Sequence, residues 1–160
     1  MAIPKKILVP VDFSSSSLAA LDTAIELAAR FGATFELLHA WEPPPVYGTE
    51  ALVAGGAALY AELDDSTRRA AGKDMAELVE RLQKRGFRDV RAHIERGAPS
   101  LVILEMAAKN GYDMIVMGTH GRRGFSRFLA GSVAEKVVRL AHVPVLTIRH
   151  PDGAGAVSFA

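Results

Sequence analysis

Residues 112–117 read Tyr-Asp-Met-Ile-Val-Met and lead directly into Gly118-Thr-His-Gly121. Such a run of apolar residues predicts a buried strand. After nine further residues, Gly131-Ser132 precedes a helical pattern. Glycines at a strand end let main-chain N–H groups approach an anion, and the start of a helix attracts negative charge. This stretch therefore predicts a phosphate-binding loop, and with it a nucleotide site.

Outward from this stretch, strand patterns alternate with helical ones along the whole chain. The predicted strands are Ile7 to Val11, Thr34 to Ala40, Val90 to Glu95, Asp113 to Met117 and Val143 to Arg149. Strands separated by helices indicate a parallel sheet with helices on both faces. Apart from Asp113 at the start of the fourth strand, the first and fourth strands are apolar on both faces, which favours the centre of that sheet. We expect a single α/β domain over residues 3–150 and a flexible tail over residues 151–160.

The segment after the second strand is the least regular part of the chain. Three consecutive prolines begin at Pro43, and a Gly/Ala-rich stretch continues to about Leu63. These residues predict a long loop, and a candidate lid, before a helix from Asp64 to Arg85. The last helix is predicted from Ser132 to Ala141. Its inward-facing residues would be Val133, Val137, Val138 and Leu140.

Composition limits the class of protein. The chain has 160 residues, of which 49% are hydrophobic, so it is long enough for one domain with a full core. Its net charge of +1 lacks the basic excess that sequence-independent nucleic-acid binding requires. It has no cysteine, and we find no apolar stretch long enough to span a bilayer. We therefore expect a cytoplasmic protein with neither a nucleic-acid nor a membrane partner.

Candidate ligand-binding residues follow the two predicted central strands. Ligands of open parallel sheets bind outside the carboxyl ends of the strands, where Asp12 and Gly118 would lie. Asp12 can accept hydrogen bonds from a ribose, or it can be a turn acceptor ahead of the first helix. The serines from Ser14 to Ser17 are expected to cap that helix. Ser132 can cap the last helix, a role compatible with phosphate binding because a cap and an anion use the same exposed N–H groups. His39, His93 and the other histidines lack metal-pair spacing and an evident acidic partner.

Three segments together resemble the universal stress protein family and, within it, the ATP-binding branch. They are Ile7-Leu-Val-Pro-Val-Asp-Phe-Ser14, Leu38-His39, and the pattern G-x-x-G-x(9)-G-S formed by Gly118, Gly121, Gly131 and Ser132. The resemblance covers nearly the whole chain. It implies a Rossmann-like fold, similar to the adenine nucleotide alpha-hydrolases, with five parallel strands in the order 3-2-1-4-5.

The resemblance also implies roles for individual residues. Pro10, Val11 and Asp12 would line the adenosine, with Asp12 on the ribose, and Ala40 would offer main-chain groups to adenine. The triphosphate of ATP would carry Mg²⁺ and would be held by Met117, Gly118, Gly121, Gly131, Ser132 and Val133. Between these glycines, Arg122 and Arg123 are further candidates for phosphate contacts. The alternative for both arginines is a solvated basic loop.

These roles imply a regulatory protein in which bound ATP orders the phosphate loop and controls binding to a protein partner. The family also pairs through the last strand, which predicts a homodimer built on the edge from Val143 to Arg149. A slow ATP hydrolase or a self-modifying phospho- or adenylyl-transferase is the alternative, although the sequence shows no general base with an orienting partner. A structural protein with an empty crevice is a third possibility.

Other nucleotide-binding classes lack their signatures here. The sequence contains neither G-x-x-x-x-G-K-[ST] nor G-x-G-x-x-G after a strand, which excludes a P-loop NTPase and disfavours a dinucleotide dehydrogenase. A phosphoacceptor receiver would need a pair of acidic residues after the first strand, whereas Asp12 stands alone there. The Ser-Gly-Gly and His-x-Gly-His signatures of related hydrolases and nucleotidyltransferases are absent as well.

Overall fold

A computed structural model describes residues 3–42, 56–119 and 131–149, with side chains from residue 58 onward in the second range. Five parallel strands form one sheet in the order β3-β2-β1-β4-β5, as predicted. The strands are β1 (Lys6–Pro10), β2 (Thr34–Trp41), β3 (Arg91–Arg96), β4 (Met114–Gly118) and β5 (Val145–Ile148). The helices are α1 (Ser15–Phe31), α2 (Gly56–Lys84), α3 (Pro99–Lys109) and α4 (Ser132–Leu140).

Two hydrophobic layers cover the sheet, one on each face. Ile7 and Val9 of β1 pack in one cluster with residues of α1 and α2, such as Leu21 and Leu78. Leu8, which points to the opposite face, packs in the other cluster with residues of α3 and α4. The central strand is therefore buried on both sides, and the prediction of helices on both faces is confirmed.

Helix α2 begins at Gly56, so the prediction of a loop up to Leu63 is wrong for residues 56–63. Residues 57–63 are mostly alanine, leucine and glutamate, which are strong helix formers. The early turns of α2 also dock on β3, where an Arg96 guanidinium nitrogen lies 3.3 Å from the Tyr60 hydroxyl and Arg96 Nε lies 3.5 Å from Asp64 Oδ1. The rest of the predicted lid, residues 43–55, lies outside the described residues.

Helix α4 buries fewer apolar residues than its pattern predicted. Ala134 and Val137 are buried and Val133 packs beside them, but Val138 and Leu140 are 54% and 49% exposed. Only one side of this short helix faces the sheet, so the inward placement of Val138 and Leu140 is wrong for the single chain. Strand β5 is half-buried and lies at the sheet edge. The predicted tail from residue 151 lies outside the described residues.

No helix in the described ranges combines the length and the apolar character needed to cross a membrane.

Candidate functional site

The carboxyl ends of the strands bring most of the predicted site residues to one edge of the sheet. Strand β1 pairs with both β2 and β4, so Pro10, Val11 and Asp12 follow the same edge as Ala40 and Gly118. The Val11 N–H donates to the Leu38 carbonyl at 2.8 Å, which continues the β1–β2 pairing beyond the strand. The residues predicted to contact adenosine therefore lie at the same edge of the sheet as Gly118, which is predicted to contact phosphate.

The start of α4 lies directly beside the end of β4. The Gly131 N–H donates to the Thr119 carbonyl at 2.6 Å, and Gly131 is the N-cap of α4, with no hydrogen bond from a capping side chain. The first bond of the helix runs from the Glu135 N–H to the Gly131 carbonyl at 3.0 Å. Ser132 is thus the first helical residue, and the alternative in which it caps the helix does not hold.

This arrangement leaves main-chain donors at the helix start. The N–H groups of Ser132, Val133 and Ala134 have no acceptor within α4, because the first turn of any helix lacks one. They add to the positive end of the helix dipole. The side chains of Val133 and Met117 pack in the α3/α4 core, so these two residues present main-chain atoms to the edge. The arrangement suits an anion.

Asp12 and Ser14 form a tight turn before α1. Asp12 Oδ1 accepts from the Ser14 N–H at 3.1 Å and from the Ser14 hydroxyl at 2.5 Å. Ser14 is the N-cap of α1, and its Oγ accepts from the Ser17 N–H at 3.2 Å. The capping role expected of the serines is confirmed for Ser14, and Asp12 does act as a turn acceptor.

His39 contacts this turn on both sides of Asp12. Its Nδ1 lies 2.8 Å from the Val11 carbonyl oxygen, and its ring centroid lies 4.8 Å from that of Phe13. Phe13 has a φ of 63°, a left-handed conformation that costs a residue with a Cβ about 1–2 kcal/mol. The sequence indicates only that His39 ends a strand. It does not predict the contacts of His39 with Val11 and Phe13, because a contact between strands leaves no local pattern.

Close packing against the start of α1 accounts for glycine at position 118. A Cβ placed there would lie 2.6 Å from Ser16 Oγ, 2.8 Å from the Ser16 carbonyl carbon and 2.9 Å from the Ser17 nitrogen. Two of these three atoms belong to the backbone at the start of α1, so the overlap has no easy relief. The sequence alone had assigned this missing Cβ to the approach of an anion. In the structure it makes room for α1, and contact with a phosphate stays a prediction.

The remaining predicted phosphate residues, Gly121, Arg122 and Arg123, lie outside the described residues. Within the parts of the chain that the structure covers, no group of three or more His, Cys, Asp or Glu side chains could hold a metal ion.

A second polar cluster lies at the opposite, amino-terminal edge of the sheet. Glu36 on β2 is buried, and its Oε2 accepts from the Tyr112 hydroxyl at 2.7 Å and lies 2.8 Å from His93 Nε2. Its Oε1 lies 3.1 Å from Lys6 Nζ and 3.7 Å from a guanidinium nitrogen of Arg91. His93 therefore has an acidic partner, which the sequence had not revealed.

The pKa values of this cluster follow from its contacts. Burial alone would raise the pKa of Glu36, but hydrogen bonds from Tyr112, His93 and Lys6 outweigh it and lower the pKa to about 2. Burial and the bond to Glu36 raise the pKa of Tyr112, which keeps its hydroxyl a donor. Both oxygens of a charged carboxylate are thus engaged, as expected of a structural group.

Comparison with known proteins shows the family to which the chain belongs. The model of the universal stress protein family matches residues 4–149. Universal stress protein MJ0531 of Methanocaldococcus jannaschii is 35% identical over 147 residues, which are 92% of this chain and 83% of that protein.

Solved structures agree with this result. The universal stress protein UspA from Lactobacillus plantarum superposes with a TM-score of 0.79 at 26% identity, covering 93% of this chain and all of that one. A universal stress protein in complex with cAMP superposes with a TM-score of 0.59 at 27% identity, covering 92% of this chain and 98% of that one. The chain belongs to the universal stress protein family.

Proposed function

We propose that this protein binds ATP at the carboxyl edge of the sheet and acts as a cytoplasmic stress-response regulator. The adenosine would lie over Pro10, Val11 and Ala40, with its ribose on Asp12. The phosphates would lie at the start of α4. Mg²⁺ would bind to phosphate oxygens, where it would neutralise part of their charge. Occupancy would order the phosphate loop, including Gly121, Arg122 and Arg123, and so control binding to a protein partner.

The observation that carries this proposal is the open start of α4. Three successive N–H groups lack acceptors in the helix, and the 2.6 Å bond from Gly131 to Thr119 holds them beside the end of β4. An anion there would gain main-chain hydrogen bonds and the favourable end of the helix dipole. Asp12 lies at the same edge of the sheet, following β1 rather than at the start of α4. Its carboxylate can accept a hydrogen bond from a sugar hydroxyl but would repel a phosphate. The relative that binds cAMP supports an adenine nucleotide as the ligand.

The edge strand supports a homodimer as part of the same proposal. Strand β5 pairs with β4 on one side only, and Val138 and Leu140 are exposed on the neighbouring α4. An exposed edge with nearby apolar side chains favours pairing with a second copy. We propose that the segment from Val143 to Arg149 forms this contact.

A main-chain substitution tests the site directly. Ser132→Pro removes one N–H at the first position of a helix, where proline fits without disturbing the helix. We expect it to weaken ATP binding about 10–100-fold by isothermal titration, as the loss of one charge-assisted hydrogen bond predicts. Ser132→Ala, which keeps the N–H, is the matched control and should bind ATP within about threefold of wild type. Equal affinities for the two variants would contradict the proposed site.

The fate of the nucleotide separates regulation from catalysis. Wild-type protein incubated with labelled ATP and Mg²⁺ should retain intact ATP. Catalytic release of ADP, or transfer of label to the protein, would favour the slow hydrolase or the self-modifying transferase instead. If the protein bound cAMP and showed no affinity for ATP, the proposed ligand would be wrong but the proposed site would stand.

A further inference from the structure

We propose that His39 is a positioning residue that fixes the turn from Val11 to Phe13 and so aims the Asp12 carboxylate at the ribose. This inference rests on the proposed function, because it assigns one more residue to the adenosine side of the same site. His39 itself would touch no part of the nucleotide. It would act through the conformation of its neighbours on β1.

The first contact sets the main chain immediately before Asp12. A carbonyl oxygen can only accept, so His39 Nδ1 carries the proton of the 2.8 Å bond to Val11. The Val11 N–H in turn donates to the Leu38 carbonyl at 2.8 Å. The peptide groups on both sides of Val11 are thus tied to β2, and the direction in which the chain enters Asp12 is fixed.

The second contact sets the main chain immediately after Asp12. The imidazole packs on the Phe13 ring at 4.8 Å with an angle of 37° between the rings. Phe13 holds a left-handed φ of 63°, and a conformation of this kind persists only where surrounding contacts impose it. One side chain from β2 therefore restrains the residues on both sides of Asp12.

Packing alone does not account for a histidine at this position. Leu37, two residues earlier on the same face of β2, is fully buried in the α1/α2 core, whereas His39 is only half-buried at the strand end. An aliphatic side chain could pack on Phe13 as well as an imidazole does, but it could not donate to the Val11 carbonyl. The donor is the feature that points to a role in the turn.

The test compares ATP with 2′,3′-dideoxy-ATP, which lacks the ribose hydroxyls. Wild type should prefer ATP about 10–100-fold, as one charge-assisted hydrogen bond predicts. His39→Ala should reduce that preference to nearly one, while the affinity for dideoxy-ATP stays the same. His39→Asn should restore part of the preference, because its amide nitrogen can reach the Val11 carbonyl. His93→Ala removes a matched strand histidine at the opposite edge and should keep the wild-type preference.

Two results would overturn the inference. One is a folded His39→Ala protein that keeps the wild-type preference, and the other is an equal loss of affinity for both nucleotides. The nucleotide-free protein gives a separate readout, because His39→Ala should change the three-bond HN–Hα coupling of Phe13, which reports its φ angle and does not depend on a neighbouring ring. An unchanged Phe13 coupling would also refute the inference. If wild type bound neither nucleotide, the proposed function would fall, and this coupling would still decide whether His39 fixes the turn.

Discussion

At the amino edge of the sheet, Glu36 has donors on both carboxylate oxygens, whereas at the carboxyl edge the first N–H groups of α4 have no acceptor in their helix. At the amino edge, polar side chains from neighbouring strands satisfy each other. At the carboxyl edge, Asp12 and His39 are also hydrogen-bonded, but the first N–H groups of α4 have no acceptor within their own helix. A polar cluster that is complete in the folded chain stabilises the fold, while an incomplete one is available to a ligand.

The largest expected difference between the two edges is a loss of folding stability at low pH, which should arise at the amino edge. Because the pKa of Glu36 is lowered from 4.5 to about 2, its contribution to stability is fully present above pH 4.5 and is lost as pH falls through about 2. The shift corresponds to about 3 kcal/mol in the free energy of unfolding. Urea titrations of wild type from pH 7 to pH 2 should show this loss.

Glu36→Gln is the variant that isolates this contribution. It should be less stable than wild type at pH 7, and the difference should shrink towards pH 2. Glu105→Gln is the matched control, because the ion pair that Glu105 makes with Lys109 is exposed, and such pairs contribute at most about 1 kcal/mol. ATP affinity at pH 7 should be unchanged in both variants. A Glu36→Gln protein with the pH profile of wild type would show that the cluster is not a stabilising one.

The sequence could predict the fold because the signals for it are local. Apolar runs, helical spacing and the glycines near β4 each occupy a few neighbouring residues, and the family resemblance supplied the strand order. The start of α2 was missed because docking on Arg96 reinforces a segment whose glycine and proline neighbours suggested a loop. The exposure of Val138 and Leu140 was missed because periodicity does not say how wide a face the sheet will cover.

The site was predicted less completely than the fold. The carboxyl edge could be predicted as the candidate site because Asp12 and Gly118 directly follow the two strands predicted from the sequence. The Glu36 cluster could not, since Tyr112 is 76 residues away in the chain and meets Glu36 only through the sheet. The contacts of His39 with Val11 and Phe13 were invisible for the same reason.

A smaller effect on stability is expected at Gly118, which both packs against α1 and belongs to the proposed site. Gly118→Ala places a Cβ within 2.6–2.9 Å of Ser16 and Ser17, so we expect a loss of about 1–3 kcal/mol in the free energy of unfolding. Gly72→Ala is the control, because a Cβ there meets nothing within 4 Å and the site lies inside α2. Alanine should stabilise that helix by about 0.5–1 kcal/mol. Equal stability of the two variants by urea denaturation would contradict the packing at Gly118.

The smallest effect distinguishes two serines at the starts of two helices on the carboxyl edge. Ser14→Ala removes the N-cap of α1 and should cost about 1 kcal/mol in the free energy of unfolding. Ser132→Ala removes an exposed hydroxyl from a helix with no side-chain cap bond, so its cost should stay within about 0.5 kcal/mol. Urea denaturation without nucleotide measures both. A cost at Ser132 as large as that at Ser14 would mean that the Ser132 side chain already satisfies the start of α4. The two helix starts would then be equivalent, and the difference on which the proposed anion site rests would be lost.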